Sequence, residues 1–262
     1  MPDERDLDAW ERIAFEYHRH ILRGDVLREQ ILDPAILAAM GELGNRRILD
    51  LGCGQGYLAH RLTEAGGVVT AIDGSAALIA LAKQTYPENE RLSFIAGDIR
   101  HPLPFSGGTF DLIVSNLAFM DIDPLESTMQ ECARVLRPNG TLIISLIHPA
   151  FMSGGRLTRT FRAIFGAPLA YAINAYHTPL RRLWRIRGLS GKTPYYHRPL
   201  EYYAELLKNS LFAITDLREP VLPRGERYPN AFLKLCTEIP PFVIIRAERR
   251  RISLPYASVR TR

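Results

Sequence analysis

The chain has 262 residues, of which 47% are hydrophobic and 23% are charged, and its formal net charge is +5. This composition is ordinary for a globular protein and gives no sign of disorder before the last dozen residues, and the length suits one α/β domain of the larger sort. The acidic N-terminus lacks an apolar core of signal-peptide length, and no run approaches the roughly 18 apolar residues of a membrane span, which predicts a cytoplasmic protein. The cysteines Cys53, Cys132 and Cys236 share no metal-ligand spacing, so we expect free thiols and no metal site.

The first 45 residues predict a helical cap ahead of the main domain. Apolar residues such as Trp10 and Tyr17 recur at helical spacing across residues 7–32. A second helix is predicted to begin after Asp33, because an acidic capping residue followed by proline is typical of a helix start. We expect this cap, residues 1–45, to flank or cover the domain that follows.

Short apolar runs alternate with helical segments from residue 46 to residue 149. The predicted strands are residues 48–51, 68–72, 92–96, 110–115 and 141–147, and the predicted helices are residues 57–65, 75–86 and 124–136. A further helix at 200–209 and strands at 212–218 and 242–247 would complete the core within residues 201–248. This alternation predicts an α/β fold with a doubly wound, Rossmann-like sheet of seven mostly parallel strands, followed by a loose tail at 249–262.

Residues 48–56 read I-L-D-L-G-C-G-Q-G, the pattern of a buried strand that ends in a tight turn. The turn contains the glycines Gly52, Gly54 and Gly56. Without side chains there, a ligand can lie against bare backbone at the N-terminus of the next helix. A dinucleotide-binding turn would need a small residue where this chain has Tyr57. Two acids accompany the turn instead, Asp50 before the first glycine and Asp73 at the end of the next strand, where a carboxylate can accept from both hydroxyls of a ribose.

Polar residues also follow the third and fourth predicted strands. They are Asp98 with Ile99 in A-G-D-I-R and Asn116 with Leu117 in S-N-L-A-F. The segment R-V-L-R-P-N-G-T-L follows one helix later. Taken in order with the glycine turn, these motifs between Arg46 and Ile147 resemble the class I S-adenosylmethionine (SAM) methyltransferases that act on small molecules.

The resemblance implies that SAM is the cofactor and S-adenosylhomocysteine (SAH) the product, bound across the carboxyl ends of the strands. It places the backbone of Gly52, Cys53 and Gly54 against the methionine part, and Asp50 beside that turn as one of two carboxylates that pin the ligand. The second carboxylate, Asp73, would bind the ribose, and Asp98 and Ile99 would contact the adenine. Asn116 and Leu117 would lie between the cofactor and the substrate. Tyr17 on the first helix is expected either to reach over the cofactor or to pack in the core.

Two positions depart from the family pattern. Gly74 follows Asp73 where the family has an apolar side chain on the adenine, so Leu78 or Ile99 is expected to supply that contact. The motif after the fourth strand also differs from the Asn-Pro-Pro-Tyr or Asp-Pro-Pro-Tyr of amino-group methylases of DNA and of protein glutamine. This difference argues against methylation of a nucleobase amino group.

Methyl transfer from a sulfonium is an in-line displacement in which alignment supplies much of the acceleration. A base is needed when the acceptor is a protonated hydroxyl or amine. The candidates are His148, directly after the fifth strand, and His197 in Y-Y-H-R-P-L-E-Y-Y, because an imidazole titrates near neutral pH. For each histidine, a purely structural hydrogen bond is the alternative.

Residues 150–200 form a basic insertion after the fifth strand, with no aspartate or glutamate. Its basic residues are Arg156, Arg159, Arg162, Arg181, Arg182, Arg185, Arg187, Lys192 and Arg198. We predict a helical insertion that acts as a lid over a small molecule. The alternatives are a patch for RNA phosphates, contact with an anionic membrane surface, or a solvated hairpin.

The predicted function is methyl transfer from SAM to an oxygen or nitrogen of a small organic molecule. Arginine-rich walls would favour an acidic substrate, whereas the aromatic content would favour an aromatic or lipophilic one. An RNA methyltransferase and a SAM-binding protein without turnover are the two rival hypotheses. The sequence leaves the oligomeric state open.

Overall fold

A central sheet of seven strands, in the order β10-β11-β5-β4-β1-β2-β3, carries helices on both faces. The structure, a computed structural model, describes residues 4–152, 156–158, 170–172, 175–186 and 188–250. The sheet strands are β1 (Arg47–Leu51), β2 (Val68–Asp73), β3 (Leu92–Ala96), β4 (Phe110–Asn116), β5 (Leu136–Ile147), β10 (Phe212–Arg218) and β11 (Phe242–Arg249). Strands β1 to β5 are parallel and β11 is antiparallel to both of its neighbours, so the predicted fold class is confirmed.

The helices pack on the sheet because its strands are apolar on both faces. They are α1 (Glu4–Leu22), α2 (Asp33–Met40), α3 (Tyr57–Glu64), α4 (Ala76–Thr85), α5 (Leu125–Val135), α6 (Pro149–Met152), α7 (Leu200–Asn209) and α8 (Ala231–Leu235). In β1, Leu49 and Leu51 belong to the core cluster formed with α5 and α7. Ile48, on the other face, belongs to the cluster formed with α2, α3 and α4. A strand buried on both faces therefore appears in the sequence as a continuous apolar run.

The N-terminal helix is shorter than its apolar periodicity predicts. Helix α1 ends at Leu22, and Gly24 follows with a φ of 80°. Glycine in the left-handed region is typical of a helix end. A separate π-helical turn, Arg28–Leu32, then leads into α2. The prediction of one helix over residues 7–32 is therefore wrong, because it passed over the glycine.

Strand β5 begins at Leu136, where the sequence predicts a turn ahead of a strand at residue 141. The pairing with β4 shifts between Phe110, opposite Leu136, and Leu112, opposite Thr141. Asn139 lies in this shift with a φ of 62°. The turn residues therefore form an irregularity within a long strand instead of separating two elements.

The insertion contains strands where a helical structure is predicted. Strands β8 (Leu180–Trp184) and β9 (Thr193–His197) form an antiparallel hairpin, and the short strands β6 (Arg156–Thr158) and β7 (Ala170–Ala172) form another pair. The prediction of a helical insertion is wrong for these residues. The aromatic residues of T-P-Y-Y-H are typical of a strand and are the signal that the prediction passed over. The predicted tail, residues 249–262, begins too early, because Arg249 is the last residue of β11 and pairs with Phe212 of β10. The remaining residues of the insertion and residues 251–262 lie outside the described residues.

The helices of the described part of the chain include none that combines the length and the apolar character needed to cross a membrane.

Candidate active site

The glycine turn lies between the carboxyl ends of β1 and β2. The backbone N–H groups of Gly52 and Cys53 both donate to Ile72 O, at 2.8 and 3.1 Å. Gly52 has a φ of 78°, and a Cβ added there would lie 2.5 Å from Ala118 Cβ. Only glycine combines this backbone conformation with so close an approach. The turn therefore presents bare backbone to the space in front of the sheet.

Asp73 ties the turn to the end of β2. Its Oδ2 accepts from Gly54 N at 2.7 Å, and its Oδ1 accepts from Ser75 N at 2.9 Å. Burial raises the pKa of Asp73, while these two backbone donors oppose the shift. A carboxylate oxygen can accept more than one hydrogen bond, so both oxygens retain capacity for a ligand.

Asp50 is a buried carboxyl group with no side-chain partner among the described residues. It is 1% exposed, and neither of its oxygens makes a hydrogen bond of good geometry to those residues. Burial, and then the nearby Asp73 carboxylate, raise its pKa to about 7, while the backbone N–H of Ala59 opposes this shift. Asp50 lines the larger cavity described below. A buried carboxyl group that faces an open cavity is suited to a cationic ligand group.

Two adjoining cavities open in front of the strand ends. The smaller, of about 110 Å³, is lined among others by Leu7, Asp73, Leu78 and Asp98. The larger has a volume of about 800 Å³ and a mostly apolar lining. The residues that line both are Trp10, Tyr17, Gly52, Gly54, Asn116, Leu117 and Asp121. The glycine turn is therefore the junction of the two cavities.

Leu7 fills the space left by Gly74. A Cβ added at Gly74 would lie 2.7 Å from Leu7 Cδ1, and Leu7 lines the smaller cavity together with Leu78 and Ile99. Leu78 and Ile99, the residues that the sequence predicts for the adenine contact, line the cavity too, whereas Leu7 is a neighbour that the sequence does not predict. An α1 residue cannot be linked to position 74 by spacing alone, because the contact is made in the folded chain.

Asp98 is paired with a neighbour. Its carboxylate accepts from Arg100 Nε and Nη2 at distances from 2.6 to 3.0 Å. Burial by itself would raise the pKa of Asp98, but the Arg100 guanidinium outweighs burial and lowers the pKa overall. Asp98 and the buried Ile99 both line the smaller cavity. Asp98 is thus held as a carboxylate at the wall of that cavity.

The end of β4 carries a locally unusual backbone. Leu117 has a φ of 55°, and its N–H donates to Ser145 Oγ and Ser145 O, both at 3.1 Å. Ser145 Oγ in turn donates to Asn116 Oδ1 at 2.6 Å. A leucine in the left-handed region is strained, and such strain clusters at functional sites. The strand end is thereby fixed where the two cavities meet.

The structure brings Tyr17 into the site and leaves both predicted histidine bases outside it. Tyr17 Cε1 lies 3.6 Å from the position of a Cβ on Gly54. His148 Nε2 lies 2.7 Å from Glu219 Oε1, and His197 Nε2 lies 2.7 Å from Tyr176 O. Neither histidine lines either cavity, whereas His20 on α1 lines the larger one. The geometry favours the structural alternative for both predicted bases.

Cys53 lies in the turn as a partly buried thiol. Burial, and then the carboxylates of Asp50 and Asp73, raise its pKa well above the usual range. A thiol is a strong nucleophile only as the thiolate. Cys53 is therefore suited to filling space beside the glycines.

Helix α1 and the β8–β9 hairpin, termed here the roof, cover the larger cavity. Asp6 pairs with Arg181 and accepts from Tyr196 Oη at 2.5 Å. Glu16 accepts from Ser190 N at 2.8 Å and from Ser190 Oγ at 2.7 Å. The roof contributes Trp10, His20, Ile21, Trp184, Ile186 and Tyr195 to the cavity lining. Parts of the chain about 175 positions apart thus meet over the site.

Comparisons with known proteins agree with this architecture. A family model described as a methyltransferase domain matches residues 49–144. A demethylmenaquinone methyltransferase from Beutenbergia cavernae is 30% identical over 161 residues, which cover 60% of this chain and 65% of the relative. A malonyl-(acyl-carrier protein) O-methyltransferase from Enterobacter lignolyticus is 33% identical over 162 residues, which cover 62% of this chain and 60% of the relative. The matches thus span less than two thirds of the length of these relatives.

A solved structure extends the match beyond the core. The crystal structure of a SAM-dependent methyltransferase from Mesorhizobium loti superposes with a TM-score of 0.70 at 25% identity and covers 82% of this chain and 96% of that chain. The family model and the structural match both support a class I SAM-dependent methyltransferase, the family that the glycine turn and strand-end motifs of this chain resemble. SAM is the cofactor of this family.

Proposed function

We propose that this protein transfers a methyl group from SAM to an oxygen or nitrogen of a small organic molecule. The proposal depends chiefly on one observation: the apolar cavity of about 800 Å³ opens on the glycine turn and on Asp50. Cavities of this size commonly hold small ligands. The larger cavity therefore has room for the methionine part of the cofactor and for an acceptor beside it.

The residues around the two cavities fit SAM. We assign the ribose hydroxyls to Asp73 and the adenine to the smaller cavity, whose lining includes Asp73 and the apolar residues Leu7, Leu78 and Ile99. The Asp98 carboxylate lies at the same wall and can accept from the adenine amino group. At the other end, the carboxyl group of Asp50, which has no side-chain partner among the described residues, suits the ammonium group of the methionine part. When bound, SAM supplies a methyl group already activated by its sulfonium.

The lining of the larger cavity supports an acceptor with an apolar body. Its apolar residues include Ile21, Val26, Leu27, Met120, Ile147, Trp184, Ile186, Phe232 and Phe242. Among the described residues that line this cavity there is no arginine of the insertion, and Arg181 and the buried Arg198 pair with Asp6 and Asp123. Pairing of these two arginines also reduces the positive charge available for RNA phosphates. A lipophilic or aromatic acceptor is therefore favoured over an acidic one.

The two curated relatives are named for different acceptors, demethylmenaquinone and malonyl-(acyl-carrier protein). Membership of the family therefore leaves the acceptor open, and the lining of the cavity is the better guide. We propose that the roof acts as the lid, since it contributes Trp10, Trp184 and Tyr195 to the lining of the cavity. A lid over an apolar site would align the acceptor with the methyl group and exclude water from it.

The experiment combines binding and turnover. The protein is incubated with methyl-labelled SAM and an extract of small metabolites, and products are separated by mass. At a SAM concentration near its dissociation constant we expect a labelled product that Asp73→Ala reduces strongly and that Asp216→Ala retains, because Asp216 pairs with Arg218 on the distant strand β10. Tight SAM binding with no labelled metabolite would favour the binding protein without turnover. Label that transfers to bulk RNA, and is lost when Arg181 and Arg182 are replaced, would favour an RNA methyltransferase.

A further inference from the structure

We propose that the carboxylate of Asp121 is the group that accepts the proton from the methyl acceptor, and that the acceptor reaches it as a neutral hydroxyl or as a protonated amine. This inference rests on the proposed function and identifies the acceptor class for the same site. Asp121 lies outside the sequence motifs that resemble the family, so the sequence alone does not single it out.

The position of Asp121 is the first argument. Among the residues that line both cavities, it is the one that carries a carboxyl group. The smaller cavity suits the adenosine part of SAM and the larger one suits the acceptor, so their junction is where the sulfur and the acceptor atom must meet. A proton acceptor must lie within hydrogen-bond reach of that point.

The chain around Asp121 is firmly held. Asp121 ends the short helical turn Phe119–Asp121, in which Phe119 is fully buried and the Asp121 N–H donates to Ala118 O at 2.9 Å. Arg198 donates to Phe119 O at 3.3 Å and to Ile122 O at 2.8 Å, one contact on each side of Asp121. Arg198 also pairs with Asp123 at 2.7 Å. The buried guanidinium thereby fixes the backbone that presents the carboxyl group.

The carboxyl group itself is free to meet a ligand. Within the described part of the chain, no hydrogen bond or ion pair reaches the side chain of Asp121. Its surroundings are acidic and phenolic. The groups that interact with it are Asp6 and Tyr17 from α1, Asp73 from β2, Tyr195 from β9 and Tyr203 from α7. Asp50, His20 and Arg28 line the same cavity, where Arg28 lies 4.3 Å above the ring of Tyr57 and donates to Ile21 O.

These surroundings link the charge of Asp121 to the charge of the ligand. Burial, and then the carboxylates of Asp6 and Asp73, raise the pKa of Asp121 well above its usual range. A positive sulfonium beside it would favour the carboxylate and so lower the pKa again. The charge of the sulfonium would therefore favour the ionised carboxylate, and the neutral sulfur left after transfer would favour the protonated form.

The proton balance of the step is complete without another reactant. For a hydroxyl acceptor, the oxygen lone pair forms the bond to the methyl carbon while the carbon–sulfur bond breaks and its electron pair goes to sulfur. The hydroxyl proton passes to a carboxylate oxygen of Asp121. For an amine, the ammonium proton passes to the same oxygen before the nitrogen attacks. An acceptor that is already a carboxylate is disfavoured, because it would lie against Asp121 without a proton to give.

The test compares SAM with SAH, which share every group except the methyl and the positive charge. Calorimetric titrations in two buffers of different ionisation enthalpy count the protons released on binding each ligand. We expect SAM to release up to about one proton more than SAH, and the SAM:SAH affinity ratio to rise by at most about tenfold per pH unit. Both ligands carry the ammonium group, so binding either one should release the same number of protons from Asp50. Asp50 therefore does not affect the difference in proton release between SAM and SAH.

Three variants assign the difference to its source. Asp121→Asn is expected to abolish it, whereas Tyr17→Phe, which removes the other titratable group of the junction, and the remote Asp216→Asn are expected to keep it. Equal proton counts for SAM and SAH in the unaltered protein would overturn the inference, as would a difference that is lost in Tyr17→Phe or that survives in Asp121→Asn. Failure to bind SAM at all would instead overturn the proposed function. Circular dichroism of each variant verifies that it is folded.

Discussion

The cofactor side of the site and the roof are built in different ways. On the cofactor side, Gly52, Gly54 and Asp73 are joined by backbone hydrogen bonds within a short stretch of chain. The roof joins α1 to the β8–β9 hairpin through side chains, as in the Asp6–Arg181 and Glu16–Ser190 contacts. The comparison shows that local backbone geometry determines where the cofactor binds, whereas pairs of side chains distant in sequence determine what covers it.

The largest effect we expect is the pH dependence that the buried carboxyl group of Asp50 gives to the free energy of unfolding. The folded-state pKa of about 7 lies above the usual value of 3.8, so the folded chain binds this proton more tightly than the unfolded chain. The free energy of unfolding therefore falls as pH rises from about 4 to about 7 and levels off above. This single group accounts for roughly 2 to 4 kcal/mol of that fall, at about 1.4 kcal/mol per pKa unit.

Asp50→Asn tests this linkage. Urea unfolding should be measured from pH 4 to pH 8. The difference in unfolding free energy between the variant and the unaltered protein should shift in favour of the variant by roughly 2 to 4 kcal/mol from pH 4 to pH 8. Any pH-independent effect of the amide on stability does not change this shift. The same variant should bind both SAM and SAH more weakly, because it loses the partner of the ammonium group. Parallel stability curves for the two proteins would show that Asp50 is not a buried acid in the folded chain.

The second effect concerns Asp73, which serves the cofactor side in two ways. Asp73→Ala removes the acceptor proposed for the ribose hydroxyls and the acceptor of the Gly54 and Ser75 N–H groups. We expect the free energy of SAM binding to weaken by about 1 to 3 kcal/mol, measured by calorimetry. Asp216→Ala is the control, since its partner Arg218 lies on β10. An unchanged dissociation constant for SAM in Asp73→Ala would show that Asp73 does not bind the ribose.

The third effect concerns the roof. Arg181→Met leaves the buried carboxylate of Asp6 with Tyr196 as its remaining partner, and we expect a loss of about 1 kcal/mol in the free energy of unfolding. Arg182→Met on the same strand is the matched control, because Arg182 forms no ion pair within the described residues, and its cost should stay within about 0.5 kcal/mol. Equal losses in the two variants would mean that the pair with Asp6 does not hold the roof.

The sequence was sufficient for the parts of the fold that repeat a local pattern. The apolar runs of β1 to β4 and the start of helix α4, where Ser75 Oγ accepts from Leu78 N at 3.1 Å, lie where they were predicted. Two errors, the long first helix and the helical insertion, arose where a local preference competed with a glycine or with distant pairing. Asp121 could not be found from spacing, because only the folded chain shows that the residue lies where the two cavities meet.

The smallest effect joins the two regions that the comparison separates. Gly74 belongs to the cofactor side and Leu7 to the roof, and a Cβ at position 74 would lie 2.7 Å from Leu7 Cδ1. Because this atom is the flexible end of a side chain, Gly74→Ala should cost only about 0.5 to 1 kcal/mol in the free energy of unfolding. In a Leu7→Ala background the added methyl group has room, so the same substitution should cost close to nothing.

The double-mutant cycle isolates that coupling from the separate effects of the two changes. A coupling energy of about 0.5 kcal/mol or more would show that the roof presses directly on the strand end where the adenine is proposed to bind. SAM affinity measured over the same four proteins adds the functional side: Leu7→Ala should weaken binding, and the alanine at position 74 should restore part of it by supplying apolar surface. If the two losses of unfolding free energy are additive, α1 moves away from the added methyl group without strain. Leu7 then does not take the place of the apolar side chain that the family has at position 74.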